Sequence, residues 1–128
     1  MIDFFKMAAE NNLQFFIENY EALENIEYKD EKGRTLLACS AYNHSYEVVY
    51  FLIEKGADIN EVNNKGTTVF MYAKTKVFEN RNFGFLEYLV SKGADFKKKD
   101  IFGKTVFDYV VEKGDIEMID FFIKNKYV

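Results

Sequence analysis

The residues best equipped for covalent chemistry are Cys39 and His44, the single cysteine and single histidine of the chain, five positions apart. A thiol beside an imidazole becomes a useful nucleophile when a third group orients the base. No such residue accompanies this pair. One cysteine excludes an internal disulfide framework, and with one histidine it excludes the common zinc patterns. Carboxylates are plentiful, at 21 Asp and Glu, but none is marked out as an acid–base pair. No phosphate-cradling glycine loop is present. The expectation is therefore no catalytic residue, no metal and no cofactor, with a small enzyme or accessory subunit using Cys39 and His44 as the rival reading.

The elements that would position these groups belong to a chain of 128 residues, 48% hydrophobic and 30% charged. That length suits one domain, 1–128, and that balance suits a packed core rather than a disordered tail. No apolar run reaches the ~20 residues of a membrane span, and the first residues lack the pattern of a secretory signal. The net charge of −4 argues against nucleic acid as a partner. It is also uneven: residues 1–29 carry six acids and two bases, and the rest carry 15 of each. An acidic N-terminal end reads as a solvated face, with a partner-steering patch as the alternative.

Repetition organises the chain. Glu54-Lys55-Gly56-Ala57-Asp58-Ile59-Asn60 returns as Ser91-Lys92-Gly93-Ala94-Asp95-Phe96-Lys97. Lys32-Gly33-Arg34-Thr35 returns as Lys65-Gly66-Thr67-Thr68 and Phe102-Gly103-Lys104-Thr105. Gly33 to Gly66 is 33 residues and Gly66 to Gly103 is 37, so one unit holds four extra residues, around Val77-Phe78-Glu79-Asn80. Thr35, Thr68 and Thr105 read as helix N-caps, as do Ser45, Asn82 and Asp115 for a second helix in each unit. The second helices show apolar faces: Tyr46, Val49, Leu52/Ile53; Phe83, Leu86, Leu89/Val90; Ile116, Ile119, Phe122/Ile123. Gly56 and Gly93 sit where a helix ends on a left-handed residue. Four units follow: an N-terminal cap at 1–29, a repeat at 30–62, a repeat with the insertion at 63–99, and a C-terminal capping repeat at 100–128. Four residues make about one helical turn, so the insertion reads as a lengthened helix.

The columns reinterpret the reactive residues. His44 shares a turn column with Asn11 and Gly114, where a left-handed backbone is wanted. Cys39 shares a column with Tyr72 and Tyr109 and reads as a packing residue. Asp30 and Asp100 fall at loop tips, Asp58 and Asp95 in the Gly-Ala-Asp turns and Asp115 at a cap, all places for short acceptors.

With its 33-residue period, Asp30-x-x-Gly33-x-Thr35, Gly-Ala-Asp-Ile-Asn at 56–60, Gly-Ala-Asp at 93–95 and Asp100-x-x-Gly103-x-Thr105, the chain resembles the ankyrin repeat family over residues 3–126. The resemblance implies an all-α repeat, a solenoid of stacked helix-turn-helix units with projecting β-hairpin or loop fingers. A tetratricopeptide-type stack has no use for Gly-Ala-Asp-Ile-Asn. Two family features are absent: the chain has no proline, and the histidine that ties neighbouring loops is missing from Thr35-Leu36-Leu37-Ala38, Thr68-Val69-Phe70-Met71 and Thr105-Val106-Phe107-Asp108. Lower stability than a consensus array is the expected consequence.

The resemblance also implies a protein partner in the concave groove formed by finger tips and first helices. By column this nominates Arg34, Tyr42, Lys65, Tyr72, Lys99, Ile101, Phe102, Lys104 and Tyr109. Ile101-Phe102 stands where other units carry Glu31-Lys32 and Asn64-Lys65, an apolar pair the fold does not demand, and Phe102 reads equally as an exposed contact or as a ring folded back against the last unit. Phe78 in the insertion is a second contact point or a packing residue, and Lys97-Lys98-Lys99 reads as a solvated tip, with a contact for an acidic partner as the alternative. The expected protein is a cytoplasmic monomer, or one acting in a host cytosol. It would bind another protein as an inhibitor, immunity protein or effector adaptor, without membrane or nucleic acid. Self-association through end units is the structural alternative.

Overall fold

The computed structural model describes residues 3–128 as eight helices joined by tight turns and extended loops. They are α1 (Phe4–Ala9), α2 (Leu13–Asn19), α3 (Leu36–Tyr42), α4 (Tyr46–Glu54), α5 (Val69–Asn80), α6 (Phe83–Ser91), α7 (Val106–Lys113) and α8 (Ile116–Lys124). A single 3-10 turn, Tyr20–Ala22, follows α2. Consecutive helices pair, and the first helices α1, α3, α5 and α7 stack in order. This is the all-α repeat that the spacing of glycines and threonines implies.

Local chemistry starts the helices. The side chains of Asp3, Asn12, Thr35, Thr68, Asn82, Thr105 and Asp115 each accept a hydrogen bond from the backbone N–H of the third helical residue. Each satisfies one of the donors a helix N-terminus leaves unpaired. Ser45 departs from its expected role. It stands at the N-cap of α4 without capping it, and its hydroxyl donates to the Ala9 carbonyl at 3.1 Å. The cap comes instead from the preceding pair, where Asn11 Oδ1 accepts from Val48 N at 3.2 Å.

The turns within each pair pass through one left-handed residue, at φ 56° for Asn11, 53° for His44, 59° for Arg81 and 73° for Gly114. The fingers are narrow. Isolated antiparallel bridges join Lys29 to Thr35 and Val62 to Thr68, and no longer strand occurs among the described residues. Neighbouring fingers are tied by backbone: Asn64 N donates to Lys32 O at 3.2 Å, and Ile101 N donates to Lys65 O at 3.0 Å. Gly66 is needed at this approach. A Cβ there would lie 3.0 Å from Asp100 Cα, and its φ of 77° disfavours a side chain besides.

The core is one seam of apolar side chains running through the stack, with Phe16, Leu37, Val49, Leu52, Phe70, Leu86, Leu89, Met118 and Phe122 buried. Helix α5 has 12 residues against 7 in α3 and 8 in α7. The added turn is anchored by buried Val77 and by Phe78, which packs against the core. At the far end Tyr127 occupies the column of Ala57 and Ala94. Its ring packs 5.3 Å from that of Phe96 and 5.9 Å from that of Phe122. The outer face of α8 is uncovered there, with Ile116 77% and Ile123 55% exposed.

Candidate functional site

Cys39 and His44 are not brought together as a catalytic pair. Cys39 is buried, with its thiol 3.6 Å from the Phe5 carbonyl, and burial pushes that thiol up, away from the thiolate a nucleophile needs. His44 belongs to a structural network. Nε2 lies 2.8 Å from the Ala73 carbonyl, and Nδ1 lies 2.7 Å from Tyr46 Oη and 2.8 Å from Asn80 Nδ2. The network assigns the proton to Nε2, which donates to Ala73, and leaves Nδ1 as the acceptor. Burial lowers the imidazole below its ordinary value, consistent with this neutral form. No group of three or more His, Cys, Asp or Glu suited to a metal occurs among the described residues.

The residues that the columns nominate for a partner come from fingers and first helices. Tyr42, Tyr72 and Tyr109 stand on α3, α5 and α7. The Tyr42 and Tyr72 rings meet edge to face, with centroids 5.9 Å apart at 84°. Two hydroxyls are engaged with the fingers: Tyr72 Oη accepts from Asn63 Nδ2 at 2.7 Å, and Tyr109 Oη donates to the Asp100 carboxylate. The Asp100 bond pushes the Tyr109 phenol up to about 12, so it acts as a fixed donor. These bonds latch fingers to helices.

The fingers are braced from within. Asp30 Oδ1 accepts from the backbones of Lys32 and Arg34, at 3.0 and 2.9 Å, and Asp100 Oδ1 does the same for Phe102 and Lys104, at 2.9 and 3.1 Å. Asn63 fills this role in the middle finger, holding Lys65 N and Thr67 N at 2.8 Å each. Arg34 Nε is bound to Asp30 Oδ2 at 2.7 Å, so its charge is directed to its own finger. Lys104 Nζ pairs with Glu112 at 2.6 Å. Lys65 and Lys99 are exposed, without a carboxylate within bonding range among the described residues. Ile101 and Phe102 are 65% and 64% exposed at the third finger tip, with Phe102 not folded back on its unit.

Between α3, α5 and α7 the groove deepens into a hollow of about 190 Å³, lined by Tyr42, Thr67, Met71, Tyr72, Lys74, Thr75, Asp100 and Tyr109. A larger one of about 380 Å³ lies between the first two finger tips, at Glu31, Lys32, Asn63, Asn64 and Lys65. The structure thus brings Tyr42, Tyr72 and Tyr109 to one hollow and leaves Lys99, Ile101 and Phe102 at the tips. Met71, Lys74 and Asp100 line the hollow as well and are not among the residues the columns nominate. A signal for Lys74 was present: its column holds Ala41 and Val111, so a charge there breaks an apolar pattern.

A family model described as ankyrin repeats, in three copies, matches residues 5–100. Among known proteins, ankyrin repeat protein FPV034 of fowlpox virus is 42% identical over 52 residues, covering 41% of this chain and 12% of the relative. Ankyrin repeat protein L122 of Acanthamoeba polyphaga mimivirus is 36% identical over 63 residues, covering 46% of this chain and 10% of the relative. The matched part is about a tenth of the length of these curated relatives. The family match, the repeated caps and fingers and the stacked helix pairs agree: the chain belongs to the ankyrin repeat family.

Proposed function

We propose that this chain is a non-enzymatic module that binds another protein along its concave groove. Ankyrin repeats generally mediate protein–protein interaction. The observation that carries the reading for this chain is the hollow floored by Tyr42, Tyr72 and Tyr109, beside exposed Ile101 and Phe102. Exposed aromatic rings on a rigid frame are the usual anchors of binding energy. The frame is rigid because its fingers are latched by Asn63–Tyr72 and Asp100–Tyr109, so few side chains lose freedom when a partner docks. A module of this kind acts by masking its partner as an inhibitor, or by recruiting it as an adaptor.

The test is selection of displayed random peptides on the folded protein, compared with Tyr42→Ala plus Phe102→Ala. Neither residue makes a side-chain hydrogen bond among the described residues and both are exposed, so the double variant gives up only surface contacts, those of Tyr42 with the Tyr72 ring and with Lys76, and circular dichroism establishes that it is folded. Tyr109 is unsuitable because truncation would release Asp100. Peptides enriched by the native protein and lost with the double variant support the groove. Equal enrichment by both would move the binding surface elsewhere.

A further inference from the structure

Lys74 is the groove residue whose charge and burial are out of balance. Its column holds Ala41 in α3, which is 0% exposed and lets α3 and α5 pack along their lengths. Lysine is too long to be enclosed in the same way between α5 and α7, and those two helices touch only briefly. Lys74 Nζ instead stands 5.3 Å from the centroid of the Tyr109 ring, at the wall of the hollow.

This ammonium is half-buried and has no carboxylate within 4 Å among the described residues. Its one hydrogen-bond contact is a long one, 3.5 Å to its neighbour Thr75 Oγ1. The nearby acids are already engaged. Asp100 holds two backbone N–H groups and the Tyr109 hydroxyl, and Glu112 holds Lys104 at 2.6 Å. Lys104 also stands 5.4 Å from the same Tyr109 ring. Burial, reinforced by positive charge from Lys113, presses the Lys74 ammonium toward its neutral form. A cation withdrawn from water without a counter-ion is unfavourable until an anion joins it.

We propose that the α5–α7 wedge receives a carboxylate side chain of the partner protein, an aspartate or glutamate within an extended acidic segment. Lys74 Nζ donates to that carboxylate, and the Tyr72 and Tyr109 rings flank its stem. The inference rests on the groove reading above and names the chemistry of its occupant. A peptide side chain is favoured over a free small ligand by size. The hollow is about 190 Å³, below the roughly 300–1,000 Å³ of ordinary small-molecule sites. The groove continues past the hollow to the fingers, where exposed Lys65 and Lys99 extend the same positive field along a bound chain.

The experiment uses the displayed-peptide selection with a third protein, Lys74→Met, which keeps the aliphatic stem and removes the charge. Circular dichroism of each variant establishes that it is folded. The native protein is expected to enrich peptides with an acid at a fixed position beside apolar residues. Lys74→Met is expected to enrich groove-binding peptides without that acid. For the best native binder, synthesised with a fluorescent label, exchange of the acid for its amide should weaken binding roughly tenfold or more to the native protein. The same exchange should matter less than about twofold with Lys74→Met, since no charged donor faces it. Enrichment without any acid preference, or an acid preference unchanged in Lys74→Met, would overturn the proposal while leaving the groove standing. Peptides bound equally by the Tyr42→Ala plus Phe102→Ala protein would overturn the groove, and no enrichment by the native protein would count against both.

Discussion

Two junctions of the stack are built from the same columns and have opposite characters. Between α3 and α5, Ala41 is fully buried and the helices pack closely. His44 crosses that junction to the Ala73 carbonyl, and Ser45 and Asn11 bind across the junction before it. Between α5 and α7 the Ala41 column is filled by Lys74 and the helix contact is thin, with Arg81 bound to Asp115 at 2.6 Å at the turn end and a hollow lined by Tyr42, Tyr72 and Tyr109 on the other side. One side-chain exchange in a repeat column accompanies the change from a close junction to a thin one. An array of stacked units tolerates this because each unit contacts only its neighbours, so loosening one junction leaves the others intact.

Exchanging the two column residues breaks the comparison most severely. Ala41→Lys inserts an unpaired charge where no space exists and should cost about 3 kcal/mol or more in urea unfolding. Lys74→Ala at the thin junction should stay within about 1 kcal/mol of the native protein. Equal losses would mean that the two junctions do not differ as described.

The fingers give the next largest effect. Gly66→Ala meets both a left-handed φ of 77° and Asp100 Cα at 3.0 Å, whereas Gly103→Ala has nearly the same φ and open space. Losses of about 3 and about 1 kcal/mol are expected, since the conformation alone costs about 1–2 kcal/mol. Thermal unfolding of the two variants side by side measures the difference, which is the contribution of close finger stacking.

His44→Gly keeps the left-handed turn and removes the bonds that brace the closed junction. It should cost about 1–2 kcal/mol. Burial lowers the folded His44 below its ordinary 6.5. The unfolded chain therefore takes up a proton that the folded chain resists. His44's contribution is fully present above about pH 6.5 and is lost as pH falls through the folded value. Denaturant midpoints across that window should fall toward acid in the native protein and fall less in His44→Gly.

The smallest effect lies at Glu27. Its Oε2 accepts from Asp58 N at 2.7 Å, while its Oε1 is buried without a partner. Asn60 does the same task in the next unit and satisfies both ends, accepting from Asp95 N at 2.8 Å and donating to Gly93 O at 2.9 Å. Burial raises the Glu27 carboxyl above its ordinary 4.5. Its contribution is therefore present below about pH 4.5 and is lost as pH rises through the folded value. Glu27→Gln should stabilise the protein by about 0.5–1 kcal/mol at neutral pH. No gain in unfolding midpoint would mean that Oε1 has its needs met in solution.

What was legible in the sequence is local. Threonine caps, left-handed glycines and apolar faces act within a few residues of themselves, so their spacing announces helices and turns directly. His44 as a turn residue and Cys39 as a packing residue were legible for the same reason. The cap of α4 was not, because Asn11 reaches it from the preceding pair while Ser45, the local candidate, turns to Ala9. Arg34 looked available to a partner because its bond to Asp30 depends on how the finger folds. The apolar break at Ile101 and Phe102 was visible as a column mismatch, and both stand exposed. Lys74 was equally a mismatch, but its meaning required the thin junction beside it. Burial without a counter-ion is a property of packing, and a charge in a helix gives no sign of it in sequence.

The most direct test of the account joins binding and stability in one variant. The affinity of the selected acidic peptide for Lys74→Met would be measured beside the unfolding midpoint of the same protein. A groove whose thin junction serves recognition predicts affinity down roughly tenfold or more, with stability unchanged or raised. Affinity unchanged while stability falls would show that Lys74 serves the fold, and would contradict the claim that Lys74 at this junction receives the partner's acid.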